Sequence, residues 1–137
     1  MKQIENSMPA RKVLLADANA DCRDILCLYL DFLKYPAPIQ AKDGREALNK
    51  AFSEKPDLII MEVSLPKPDG FEIVAQLRSN PGTRHAWILA ATAMALPGDR
   101  EKCLRSGFNA YLAKPFTMKE LEEILPAAFA TERNTAG

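Results

Sequence analysis

"LIIMEVSLPKPDG", residues 58–70, decides how the rest of the chain is read. Leu58, Ile59, Ile60 and Met61 form a continuous apolar run, the pattern of a strand buried on both faces of a parallel sheet. Pro68, Asp69 and Gly70 stop that run with turn chemistry and open the next segment. Between run and turn stands one acid, Glu62. A carboxylate at the end of a core strand is unfavourable unless a partner or a function holds it there.

Outward from this stretch the same grammar repeats. Apolar runs occur at 12–16 (KVLLA), 38–41 (PIQA), 57–61 (DLIIM), 86–91 (AWILAA) and 110–113 (AYLA). Segments with apolar residues at helical spacing fill 20–34, 44–54, 70–79, 98–106 and 117–129. In the first of these Ile25, Leu26, Leu28, Tyr29, Leu30, Phe32 and Leu33 read as one broad apolar face. Asp43-Gly44, Pro56-Asp57, Pro81-Gly82, Pro97-Gly98 and Ser106-Gly107 punctuate the boundaries. Thr117 followed by Glu120 is a capping box that opens the last helix. Strict alternation of strand and helix implies right-handed crossovers and helices on both faces of one sheet. The expected fold is a doubly wound α/β domain spanning 11–130, with loose ends at 1–10 and 131–137.

Size and composition fit that reading and exclude several functions. A chain of 137 residues supports one good core. Zero formal net charge leaves no electrostatic footprint for nucleic acid or an anionic membrane. The apolar stretch from Ala86 to Leu96 is too short to span a bilayer, and the polar start carries no signal peptide, so a cytoplasmic location is expected. Cys22, Cys27 and Cys103 lack metal-ligand spacing. Cys22 and Cys27 are expected on one helix as buried thiols acting as small hydrophobes. His85, the single histidine, reads as a surface residue.

In a doubly wound sheet the working site lies where the strands end at their carboxyl side. Asp17 follows the first run, Glu62 the third, Thr92 the fourth and Lys114 the fifth. Each alone has a plain explanation: Asp17 as a helix cap, Thr92 as a loop hydroxyl, Lys114 as a surface lysine at a bend. Two carboxylates, a hydroxyl and an ammonium at four strand ends together describe one polar crevice.

These features resemble the receiver domain of two-component response regulators. The resemblance runs from about Arg11 to Phe129. It rests on VLLADANADCRDIL, AKDGREAL, PDLIIMEVSLPKPDGFEIV and AATAMALPGDREKCLRSGFNAYLAKPF. It implies a (βα)5 flavodoxin-like fold with a parallel five-stranded sheet. It also implies a phosphoryl group taken from a histidine kinase onto an aspartate after strand three, assisted by magnesium. By that resemblance Thr92 is the switch hydroxyl and Tyr111 the switch aromatic. Lys114 is the lysine that contacts the phosphoryl group, and Lys114-Pro115 a cis peptide. Asp17, the phosphoacceptor position and the backbone carbonyl of Ser64 would hold magnesium.

Two positions depart from the family pattern. The second member of the acidic pair is Ala18, and the phosphoacceptor position is Glu62. Magnesium demands near-octahedral oxygen ligation and tolerates little misfit. A nucleophile displaced by ~1 Å can lose ~100-fold in rate. Magnesium is therefore expected to bind weakly or not at all, with no other cofactor. The expected function is a non-enzymatic, phosphorylation-independent interaction module of a phosphorelay. Glu62 is then either a standing mimic of the activated state or a silent partner of Lys114. A working phosphoryl acceptor is the alternative, and a flavodoxin-like small-molecule binder a third reading without a Gly-rich loop to support it.

The resemblance implies a histidine kinase, phosphotransfer or other signalling protein as partner, met through helix four, strand five and helix five. That face carries Arg100, Glu101, Lys102, Arg105, Lys119, Glu120 and Glu123, and a homodimer is left open. Only TERNTAG follows the last helical segment, so output is expected through a separate protein. The stretch GDREKCLRSGFNAYLAKPF resembles receivers of hybrid sensor kinases, which keeps an excised piece of a longer chain in view.

Overall fold

The computed structural model describes residues 12–126. The expected tails, the domain limits at 11 and 130 and the end of the helix expected over 117–129 lie outside the described residues. In chain order the elements are β1 (Val13–Ala16), α1 (Ala20–Phe32), β2 (Ile39–Ala41), α2 (Gly44–Glu54), β3 (Leu58–Met61), α3 (Gly70–Ser79), β4 (Trp87–Thr92), α4 (Asp99–Ser106), β5 (Ala110–Ala113) and α5 (Met118–Ile124). The strands form one parallel sheet in the order β2-β1-β3-β4-β5. This is the doubly wound (βα)5 fold that the alternation predicts, and its order reverses between β1 and β3.

Alternation along the strands divides the core in two. Leu14, Ala16, Ile59, Met61, Ile88 and Ala90 face α2, α3 and α4, whereas Val13, Leu15, Leu58, Ile60, Leu89 and Ala91 face α1 and α5. Buried on both faces, the strands must read as unbroken apolar runs.

Some boundaries differ from the sequence expectation. The chain leaves α1 at Leu33 rather than 34, because Lys34 adopts a left-handed φ of 72°. Thr92 is the last residue of β4 rather than a loop residue. The apolar face of α1 is not a single buried surface: Leu26 and Leu30 are buried, but Ile25, Leu28 and Phe32 are exposed. Cys22 and Cys27 share α1 as expected, yet both are half-buried, and only Cys103 is enclosed. His85 is exposed.

The loop from Glu62 to the Pro68-Asp69-Gly70 turn is held by close backbone contact. The Gly44 N–H donates to the Pro66 carbonyl at 2.7 Å and the Gly70 N–H to the Val63 carbonyl at 2.7 Å. A Cβ on Gly44 would lie 1.8 Å from the Pro68 oxygen, and one on Gly70 2.8 Å from the Val63 Cα. Only glycine permits the loop after β3 to lie this close to α2 and then turn into α3. Asp69 and Glu72 close that loop with a capping box.

Candidate functional site

The carboxyl ends of β1, β3, β4 and β5 bring Asp17, Glu62, Thr92 and Lys114 into one cluster. Parallel register does this. Ala16 pairs with Met61, and the Glu62 N–H donates to the Ala16 carbonyl at 2.9 Å, so the two acids leave adjacent strands side by side. Asp17 and Glu62 are 3% and 8% exposed, and Thr92 is fully buried.

Both Glu62 oxygens are engaged. Oε2 accepts from the Ser64 N–H at 3.1 Å, from the Ser64 hydroxyl at 3.2 Å and from the Thr92 hydroxyl. Oε1 accepts from the Ala93 N–H at 3.2 Å and pairs with Lys114 Nζ at 3.0 Å. Burial alone would push the Glu62 carboxyl up. The hydrogen bonds from Thr92, Ser64 and Lys114 more than offset it and hold the group below its ordinary value of 4.5.

Lys114 Nζ also meets Asp17 Oδ2 at 2.5 Å and lies 3.7 Å from Cys22 Sγ. Desolvation would lower its pKa, but Asp17 and Glu62 together raise it above 10.5. The Lys114-Pro115 peptide is cis, as expected, and Lys67-Pro68 is a second cis bond that sequence reasoning did not anticipate.

Asp17 does not cap α1. Its Oδ1 accepts from the Asn19 N–H at 2.9 Å, and Asn19 Oδ1 caps the helix through the Cys22 N–H at 2.9 Å. Arg23 Nη1 donates to the Asp17 carbonyl at 2.6 Å. Ala18 is exposed and contributes no oxygen. The Thr92 hydroxyl accepts from the Met94 N–H at 3.1 Å, and the half-buried Tyr111 hydroxyl donates to the Met94 carbonyl. Thr92 and Tyr111, paired in the sequence reading, are thus joined through the backbone of one residue between them.

Ser64, Ala93, Asn19, Cys22 and Met94 were not singled out for these contacts. Most act through backbone N–H groups, which residue type does not reveal. The one available signal was Asp17, since an aspartate oxygen commonly takes the N–H two residues on, here that of Asn19. Beside Lys114 an apolar groove of about 220 Å³ opens between α1 and the Pro115-Phe116 turn.

A family model for the response regulator receiver domain matches residues 13–126. The chain belongs to that family. It is 34% identical over 134 residues to the probable transcriptional regulator ycf27 of Guillardia theta, covering 92% of this chain and 51% of that protein. To the polar-differentiation response regulator DivK of Brucella anthropi it is 36% identical over 87 residues, covering 64% and 71%. This receiver spans about half the length of the first of these relatives.

Two solved structures show the same architecture. The chemotaxis response regulator CheY4 of Vibrio cholerae superposes with a TM-score of 0.78 at 31% identity, covering 86% of this chain and 98% of that one. The receiver domain of sensor histidine kinase PA1611 from Pseudomonas aeruginosa gives 0.79 at 36%, covering 88% and 98%. That second structure holds magnesium in its active-site cleft.

The residues present here do not fit such an ion. Position 18 supplies no carboxylate, and no group of three or more His, Cys, Asp or Glu side chains suited to a metal ion occurs among the described residues. The two carboxylates that remain already share the Lys114 ammonium. Among the described residues no helix is long and apolar enough to cross a membrane.

Proposed function

We propose that this receiver of a two-component system works without phosphorylation, as a fixed interaction module in which Glu62 stands where a phosphoacceptor would. The observation that carries this reading is the saturation of Glu62. Its two oxygens accept from Ser64, Thr92, Ala93 and Lys114, so neither faces an open approach. In-line phosphoryl transfer needs a free, positioned nucleophile and charge neutralisation by a metal. Thr92 and Lys114, the residues that would answer a phosphoryl group, are already bonded to the glutamate. Both the silent-scaffold reading and the mimic reading rest on this arrangement of Glu62, Thr92 and Lys114.

The test is direct. Incubation with acetyl phosphate and magnesium, followed by intact-mass measurement, should leave the wild-type mass unchanged; a phosphoryl adduct on Glu62 would return the chain to the working acceptors.

For the partner, two surfaces differ in character. The expected face on α4, β5 and α5 is exposed and mixed in charge at Arg100, Glu101, Lys102, Arg105, Lys119, Glu120 and Glu123. On α1, by contrast, Ile25, Leu28 and Phe32 form an exposed apolar ridge at helical spacing, with Asp24 and Asp31 exposed along one side. That ridge supports docking of an amphipathic helix whose apolar stripe is flanked by Lys or Arg. A second copy packed antiparallel on the same ridge would set carboxylate against carboxylate.

A further inference from the structure

We propose that the Lys114 ammonium is the resident cation of this site, and that it makes the domain independent of divalent metal. The inference rests on the phosphorylation-independent reading and explains what replaces the ion.

Two buried carboxylates on adjacent strands repel one another and require a positive charge between them. Lys114 meets both, at 2.5 Å to Asp17 and 3.0 Å to Glu62, and it approaches the Cys22 sulfur at 3.7 Å. An ammonium has three donors and no acceptor, so these three directions exhaust it. It is a compact point charge on a flexible stem, well suited to bridging two anions.

Ala18 then acquires a meaning beyond a lost ligand. With a carboxylate at position 18, three acids would face one ammonium and leave two net negative charges, which favours a divalent ion. With alanine there, the two acids and the ammonium leave a single net negative charge, a much weaker hold on a divalent ion. Of the two residues, only the alanine departs from the family pattern; the bridging lysine is the one that pattern already places there. The remaining Asp17 oxygen takes the Asn19 N–H, so the internal cation is tied through Asp17 and Asn19 to the start of α1.

The experiment compares thermal melting of the wild type and Lys114→Ala in chelator, in millimolar magnesium chloride and in ethylammonium chloride. Wild type should melt within about 1 °C in all three. Lys114→Ala should melt lower in chelator. Magnesium or ethylammonium should then raise its Tm saturably, by about 3 °C or more, because a ligand bound only by the folded state stabilises it. If the variant folds only when one of these cations is present, the proposal is equally supported.

A saturable magnesium shift in wild type would overturn it. So would a folded variant indifferent to both cations, or one that folds in none of the three. A magnesium shift without a phosphoryl adduct would defeat this inference alone. An adduct on wild type would defeat the functional reading instead.

Discussion

Glu62 and Thr92 show how much one side chain can fix. The Thr92 hydroxyl donates to Glu62 and accepts from Met94, so replacing it by the near-isosteric valine leaves a carboxylate oxygen and a backbone N–H short of a partner. Thr92→Val should lower stability by about 1–3 kcal/mol in urea denaturation. The pH dependence follows from the same contacts. Glu62 titrates below its ordinary 4.5 when folded, so its stabilisation is present above that value and is lost as pH falls through the depressed one. Glu62→Gln should therefore flatten the acid limb of a stability–pH profile. Lys114, raised above 10.5, contributes below that value and loses its contribution as pH rises through the raised one. Asp17, Glu62, Thr92 and Lys114 were legible because strand ends can be counted. The N–H groups of Ser64 and Ala93 were not, since their direction depends on how each loop turns after its strand.

At the scale of an element, α1 divides its apolar residues between two jobs. A nearly unbroken apolar run from Ile25 to Leu33 covers most of a helix's circumference, so sequence alone does not say which stripe meets the sheet. The packing does: Leu26 and Leu30 join the α1/α5 core, while Ile25, Leu28 and Phe32 face outward. The two stripes should respond oppositely to truncation. Leu30→Ala removes a fully buried side chain and should cost about 2–5 kcal/mol. Leu28→Ser with Phe32→Ser touches only exposed positions and should change stability by no more than about 0.5 kcal/mol per site. The same double variant should abolish binding of a synthetic helix bearing a leucine stripe flanked by lysines, followed by fluorescence anisotropy. Wild-type binding should weaken with added salt, because Asp24 and Asp31 supply the attraction.

Across the whole molecule, alternation of apolar runs and helical segments was enough to give the doubly wound sheet, because parallel strands covered on both faces leave no other pattern. On the proposed reading, the same scale decides whether the site departs from a phosphoryl acceptor in two places or in many. Apart from Ala18 and Glu62, the cluster has Asp17, Thr92 and Lys114 within one contact network, on a backbone pinned by Gly44 and Gly70. Ala18→Asp returns a carboxylate and, with it, an oxygen ligand and negative charge that favour a divalent ion. Glu62→Asp shortens the side chain, withdraws it from contacts reached only by the longer arm and frees an oxygen for attack. Because both changes serve one metal and one nucleophile, their effects should be strongly non-additive. Neither single variant should take up phosphate appreciably from acetyl phosphate with magnesium, whereas the double variant should show the adduct by intact mass. A folded double variant that stays inert would mean that the wild-type arrangement of Thr92, Tyr111 and Lys114 is no longer compatible with phosphoryl transfer. The departure from the family's chemistry would then extend beyond the two positions that reveal it in the sequence.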